Sequence, residues 1–227
     1  MKRIIIFGLT ILIAFVSFAQ NDVTQFLGIP VDGTRTAMIQ KLKAKGFTYN
    51  TQRDCMEGEF NGNDVFVYIV TYKNKVWRIM VMEKYSTTNE ADIRIRFNNL
   101  CGQFRENEKY IPTNNLGEYE ICESERISIQ MSLYNKRYEA SYYQITSDTV
   151  AAQEWLLERI STNYTDEERE NMSEEEAQQA LISLLSEYIL EKFSKRRVWF
   201  MISEQYGQYS IIMYYDNELN HSNGEDL

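Results

Sequence analysis

The groups able to do chemistry in this chain are carboxylates, three thiols and a surplus of tyrosines, with almost no imidazole to serve them. His221 is the sole histidine and sits in a polar tail, so a Ser–His or Cys–His nucleophile pair lacks a positioned base. The chain has no glycine-rich phosphate loop, nucleophile elbow or histidine-based metal motif. Cys55, Cys101 and Cys122 are scattered, without the close spacing of zinc ligands. The reading is therefore no catalytic constellation, no cofactor and no metal. Carboxylate chemistry stays open, because the two acids of a glycosidase need closeness in space only. The densest acidic cluster, Asp166, Glu167, Glu168, Glu170, Glu174, Glu175 and Glu176, falls where helices start. Negative charge there favours the helix dipole and stays solvated.

Tyrosine gives a large rigid contact with a polar tip, which suits an interface. The segment Asp64 to Tyr72 alternates Val65, Val67 and Ile69 with Phe66, Tyr68, Val70 and Tyr72, so both faces of that strand are apolar. Tyr138, Tyr142 and Tyr143, with Tyr209, Tyr214 and Tyr215, extend this into a candidate aromatic binding surface on a sheet. The alternative is that C-terminal helices or a second sheet layer bury the same residues as ordinary core.

The first residues carry an address. Lys2 and Arg3 are followed by an apolar run from Ile4 to Val16, and Ser17-Phe18-Ala19 supplies the small-x-small pattern of a signal-peptidase site. The expectation is a signal peptide over 1–19, a mature start at Gln20 and a periplasmic or secreted protein. The apolar run is shorter than the roughly 20 residues of a membrane span. No cysteine stands at the cut, so no lipid anchor is indicated. Export makes one disulfide chemically allowed among three thiols. The pair Cys101 and Cys122 would close a loop of roughly 20 residues, worth about 3 kcal/mol in the chain-entropy account; three buried thiols acting as small hydrophobes are the alternative.

The chain is 44% hydrophobic and 25% charged, a globular composition, with formal net charge −9. An acidic surface without a basic stripe repels phosphate backbones, which argues against nucleic acid. Only Pro30 and Pro112 occur, so a Pro-rich linker between domains has no place to lie.

Asp32, Thr34 and Thr36 are candidate caps for a helix carrying Met38, Ile39 and Leu42, which Gly46 ends and onto which Phe47 folds back. Strands are expected near 54–60, 64–72 and 76–83, split at Asn61-Gly62 and Lys73-Asn74-Lys75. Thr87 with Glu90 reads as a capping box, and Ile93, Phe97, Leu100, Cys101 and Phe104 line one face of a second helix. A polar loop through Pro112 then leads to strands near 118–123, 126–134 and 137–146, a second helix-plus-meander unit. A helix from Thr149 carries Trp155, Leu156 and Ile160. Another, introduced by the capping patterns Thr165–Glu168 and Ser173–Glu176, carries an apolar stripe from Ala177 to Phe193. A hairpin follows, 198–203 and 209–215, across Gln205-Tyr206-Gly207. The organisation is a first unit at 20–85, a second at 86–147, helices plus a C-terminal hairpin at 148–216, and a frayed polar tail at 217–227. The fold class is α+β: helices layered on one face of an antiparallel sheet of up to eight strands.

The segment Gly28-Ile29-Pro30-Val31-Asp32-Gly33-Thr34, followed by Met38, Leu42 and Gly46-Phe47, resembles the helix entry of small exported proteins. These are of the beta-lactamase-inhibitor-like and small outer-membrane assembly lipoprotein type, and the likeness covers residues 26–85. It implies an exported helix-on-sheet module of the protein-binding kind and transfers no functional residue. The expected function is an exported non-enzymatic binding module of the bacterial envelope for a protein or glycan partner. The alternative is a carboxylate-dependent hydrolase of envelope polymers.

Overall fold

The computed structural model describes residues 23–114, 118–145 and 149–221, so the expected signal peptide lies outside the described residues. The described chain opens with a two-stranded ladder, β1 (Gln25–Phe26) against β2 (Ile29–Pro30). Thr34 is extended and its side chain accepts from the Ala37 amide, which caps α1 (Arg35–Ala44) and buries Met38 and Leu42. Gly46, at φ +96°, ends the helix, and the Phe47 amide returns to the Leu42 carbonyl at 3.1 Å. A short strand, β3 (Thr48–Asn50), leads into the expected meander β4 (Cys55–Phe60), β5 (Asn63–Tyr72) and β6 (Lys75–Glu83). Asn61-Gly62 and Lys73-Asn74 both place two successive residues at positive φ, the turn twist that joins adjacent antiparallel strands.

Helix α2 (Glu90–Glu106) buries Ile93, Phe97, Leu100, Cys101 and Phe104, the five positions of the expected apolar face. Its cap is Asn89, whose side chain accepts from the Ala91 amide at 2.8 Å, rather than Thr87. Thr87 is held extended, exchanging both backbone hydrogen bonds with Tyr209 at 2.8 and 2.7 Å, and cannot turn into the helix.

The second unit departs from the expected meander. Strand β7 (Tyr110–Pro112) lies in what reads as polar loop. Residues 118–123 form no strand, because the Asn98 amide takes both backbone groups of Ile121 at 2.9 Å each and leaves no ladder to build. Residues expected as the strand 126–134 form a helix, α3 (Ile127–Tyr134), closed by Asn135 in the left-handed region. The physical reason is occupancy. Strand β8 (Glu139–Gln144) has β7 on one side, and the sheet continues on its other side, so a strand at 126–134 would find no free edge on β8, its expected meander partner.

Helices α4 (Thr149–Asn163), α5 (Asp166–Asn171) and α6 (Glu174–Phe193) follow, the last two each started by a complete capping box, at Thr165–Glu168 and Ser173–Glu176. Strands β9 (Arg197–Gln205) and β10 (Gln208–Asp216) complete the fold as a hairpin across Tyr206-Gly207. The start of the expected frayed tail is docked: Asn217 is 1% exposed and donates to the Val31 carbonyl, and Asn220 donates to Asp32 and Val76. The remainder of that tail, 222–227, lies outside the described residues.

The sheet has eight strands in the order β3-β4-β5-β6-β10-β9-β8-β7, antiparallel throughout. Helix α1 lies over β5 and β6, and α2 over β9 and β10. The main core sits between these helices and one sheet face. Register sets its rows: Val67, Val81, Met213, Phe200 and Ala140 are successive cross-strand partners, as are Ile79, Tyr215, Val198 and Tyr142. The expected α+β architecture, with helices on one face of an eight-stranded antiparallel sheet, is the observed one.

Candidate functional site

A strand's side chains alternate, so the residues between the core rows point to the other side of the sheet. Two rows cross four central strands there. Tyr68, Met80, Tyr214 and Trp199 are successive partners on β5, β6, β10 and β9, and so are Phe66, Met82, Ile212 and Met201. Phe66 is buried and the other seven are half-buried. Both faces of the sheet are thus apolar in the middle.

A third row fixes one end of this surface. Arg78 on β6 and Asp216 on β10 are direct partners. The guanidinium carbon lies 4.3 Å from the Trp77 ring centre, 4.8 Å from that of Tyr214 and 5.5 Å from that of Trp199. Trp199 and Tyr214 stack with centres 4.1 Å apart and planes at 16°, and the Trp199 indole donates to Asp216 Oδ2 at 2.9 Å. Arg78, Asp216 and Trp199 thus satisfy one another's polar groups at this end.

The sequence-derived tyrosines divide by strand parity. Tyr214 belongs to this outer face, and Tyr143, half-buried on β8, lies on the same side opposite Arg197. Tyr138, Tyr142 and Tyr209 do not: they are 4%, 2% and 4% exposed and belong to the core. Tyr142 stacks on Phe104 of α2 with centres 4.7 Å apart, and burial pushes its phenol well above the ordinary value. Tyr138 donates to Glu125 Oε1 at 2.7 Å. Met80, Met82, Trp199, Met201 and Ile212 were not among the expected surface residues. The alternation in 78–82 and 198–202 is the signal that carries them.

All three cysteines are free thiols. The expected Cys101–Cys122 bridge is not formed: Cys101 points from α2 into the core beside Tyr142, where burial pushes its thiol up to about 12. Cys122 is exposed and lies 3.3 Å from Ser124 Oγ.

The helix-covered side holds a small cavity and an open groove. A cavity of about 170 Å³ between α2 and the β4–β5 turn is lined by Glu83, Arg96, Asn99 and Asn63 over Val65, Val81 and Met213. Asn61 donates to Gln103 across it at 2.7 Å. Beyond that hydrogen bond an open groove continues past Leu27, Phe60, Tyr110 and Tyr215. Glu83 is the one carboxylate in the lining of the small cavity. Its Oε2 accepts from Arg96 Nη1 at 2.7 Å and from the Ile211 amide at 2.9 Å. Burial raises its pKa above the ordinary carboxylate value, and those two hydrogen bonds oppose the shift.

Among the described residues, no three histidine, cysteine or acidic side chains gather closely enough to hold a metal ion. No helix among them is long and apolar enough to cross a membrane. Comparison of the chain with protein-family models, curated proteins and solved structures finds no match.

Proposed function

We propose that this chain is an exported, non-enzymatic binding module whose outer sheet face takes a protein partner. The observation that carries the reading is the double row of Tyr68, Met80, Tyr214 and Trp199 beside Phe66, Met82, Ile212 and Met201. Aromatic residues, methionine and arginine are the types enriched at the centres of protein interfaces, and this face is made of them. Methionine adapts its shape to a partner, whereas the stacked Trp199–Tyr214 pair offers a rigid anchor. The apolar leader at 4–16 supports export, and the acidic balance disfavours nucleic acid.

The alternative is a carboxylate-dependent hydrolase working in the cavity under α2. Such chemistry uses two carboxyl groups flanking one bond. The cavity lining supplies Glu83 alone, and that group is engaged by Arg96 and Ile211.

The test is capture from envelope extract with the mature protein, compared with a Met80→Glu/Met201→Glu variant and with a Glu83→Gln variant. A partner lost with the first and kept with the second supports the binding face. Hydrolysis of envelope polymer that disappears with Glu83→Gln and survives the methionine changes overturns it.

A further inference from the structure

Adjacent antiparallel strands need only a two-residue turn, yet β8 and β9 are joined by the whole of α4, α5 and α6. This insertion is an arm with its own small apolar cluster. Trp155 packs on Tyr188 with ring centres 5.3 Å apart, Tyr188 on Phe193 at 5.8 Å, and Leu184 is buried with them, all outside the main core. Arg159 ties the two long helices together through Glu187 and Glu191 at 3.0 and 3.4 Å.

Two features set the arm apart from the rest of the molecule. The first is charge: residues 149–193 contain eleven acidic and three basic side chains, net −8, out of −9 for the entire chain. The second is exposed apolar surface. Val150, Leu157, Leu181, Ile182, Leu185 and Leu190 are 38 to 68% exposed, nearly half of all the large hydrophobics so exposed among the described residues. Val150 and Leu157 share one side of α4 at a seven-residue spacing, and Leu181 and Leu185 share one side of α6 at a spacing of four. Solvation of a charged helix accounts for the acids; it does not account for leucines left in water beside them.

We propose that the α4–α6 arm is a docking element for a cationic protein surface that offers apolar pockets to these leucines and isoleucines. Charge selects the occupant. A second copy of the arm would bring eight like charges against eight. An anionic lipid surface or a nucleic acid repels the arm in the same way. A basic protein surface gains attraction at long range and apolar burial at contact, with steering that salt weakens. This surface is separate from the outer sheet face, so the proposal stands or falls independently of the function proposed above.

The probe is a labelled synthetic amphipathic helix of leucine and lysine, titrated against the full mature protein by fluorescence anisotropy. The expected result is binding that weakens at least about tenfold between low and high salt, and about tenfold again in a Leu157→Ser/Ile182→Ser variant. Those two side chains are 68 and 56% exposed, so the arm keeps its helices, which circular dichroism checks. A Leu181→Ser/Leu185→Ser variant gives an independent reading on α6. Met80→Ser/Met201→Ser on the outer sheet face leaves the affinity unchanged. Overturning results are equal affinity for a leucine–glutamate helix, loss of binding in the sheet-face variant but in neither arm variant, or sedimentation showing a dimer that the arm variants abolish.

Discussion

Arg78 and Asp216 face each other across β6 and β10 and meet in a two-point ion pair, Nε to Oδ1 at 2.6 Å and Nη2 to Oδ2 at 2.7 Å. The acid side chain is 1% exposed and the arginine 24%. The pair is almost buried, and removing one partner strands the other. Asp216→Asn is expected to cost about 3 kcal/mol, the lower end for breaking a buried pair because Arg78 retains some solvent. Arg78→Lys keeps the charge but loses the fork that matches the carboxylate, so it also destabilises. Urea unfolding of both variants checks this, and wild-type midpoints would show that the aromatic rings alone hold this end of the face.

Tyr142 is core. Tyr142→Ala removes a ring stacked on Phe104 and flanked by Phe200, at a cost of about 3–5 kcal/mol. Met201→Ser on the outer face costs under about 1 kcal/mol. Thermal melts of the two variants separate core from surface, and similar shifts would mean that the outer face is covered in solution.

Glu83 makes stability depend on pH in a direction opposite to that of most paired carboxylates. Its folded-state pKa lies above the unfolded value, so the folded protein holds the proton longer and stability falls as pH rises through that window. Arg96 opposes the shift, and Arg96→Ala widens the window. The variant's loss of stability is expected to be largest near neutral pH and to shrink below about pH 4, where the carboxyl is protonated in both states. Urea titrations at the two pH values measure it; a loss independent of pH would assign Arg96 a packing role only.

The thiols differ in access. In the native protein purified without reductant, Cys122 is expected to react rapidly with a thiol reagent, whereas buried Cys55 and Cys101 stay protected with raised pKa values. All three react after denaturation. A denatured count of one would mean that the chain forms a disulfide after all.

Elements with a single apolar face were legible in the sequence. Helix α2 is the plain case: Ile93, Phe97, Leu100, Cys101 and Phe104 fit only the helical period, and all five are buried. Segment 126–134 was misleading because Ile127, Ile129, Met131 and Leu133 alternate as a strand would. Its helix is set by what surrounds it, an occupied edge at β8 and a hydrogen bond from Ser128 to Glu90. For the outer face, parity separates Tyr142 from Tyr143 and Tyr214 from Tyr215, but it does not say which side the helices cover. When both sides of a strand are apolar, that choice depends on long-range packing. Met80 and Met201 were therefore invisible as surface until the helices were in place.

The position of β10 has a consequence for how the molecule assembles. The last described strand lies in the middle of the sheet, with β6 on one side and β9 on the other. Its partner β6 ends more than a hundred residues earlier, so this seam is a contact of long sequence separation and slow to close. Until the C-terminal hairpin has been made, β6 keeps an open edge and α2 lacks Phe200 beneath Phe97 and Phe104. A chain of this topology stays incomplete until β10 slots between β6 and β9, which makes that seam a late step of assembly.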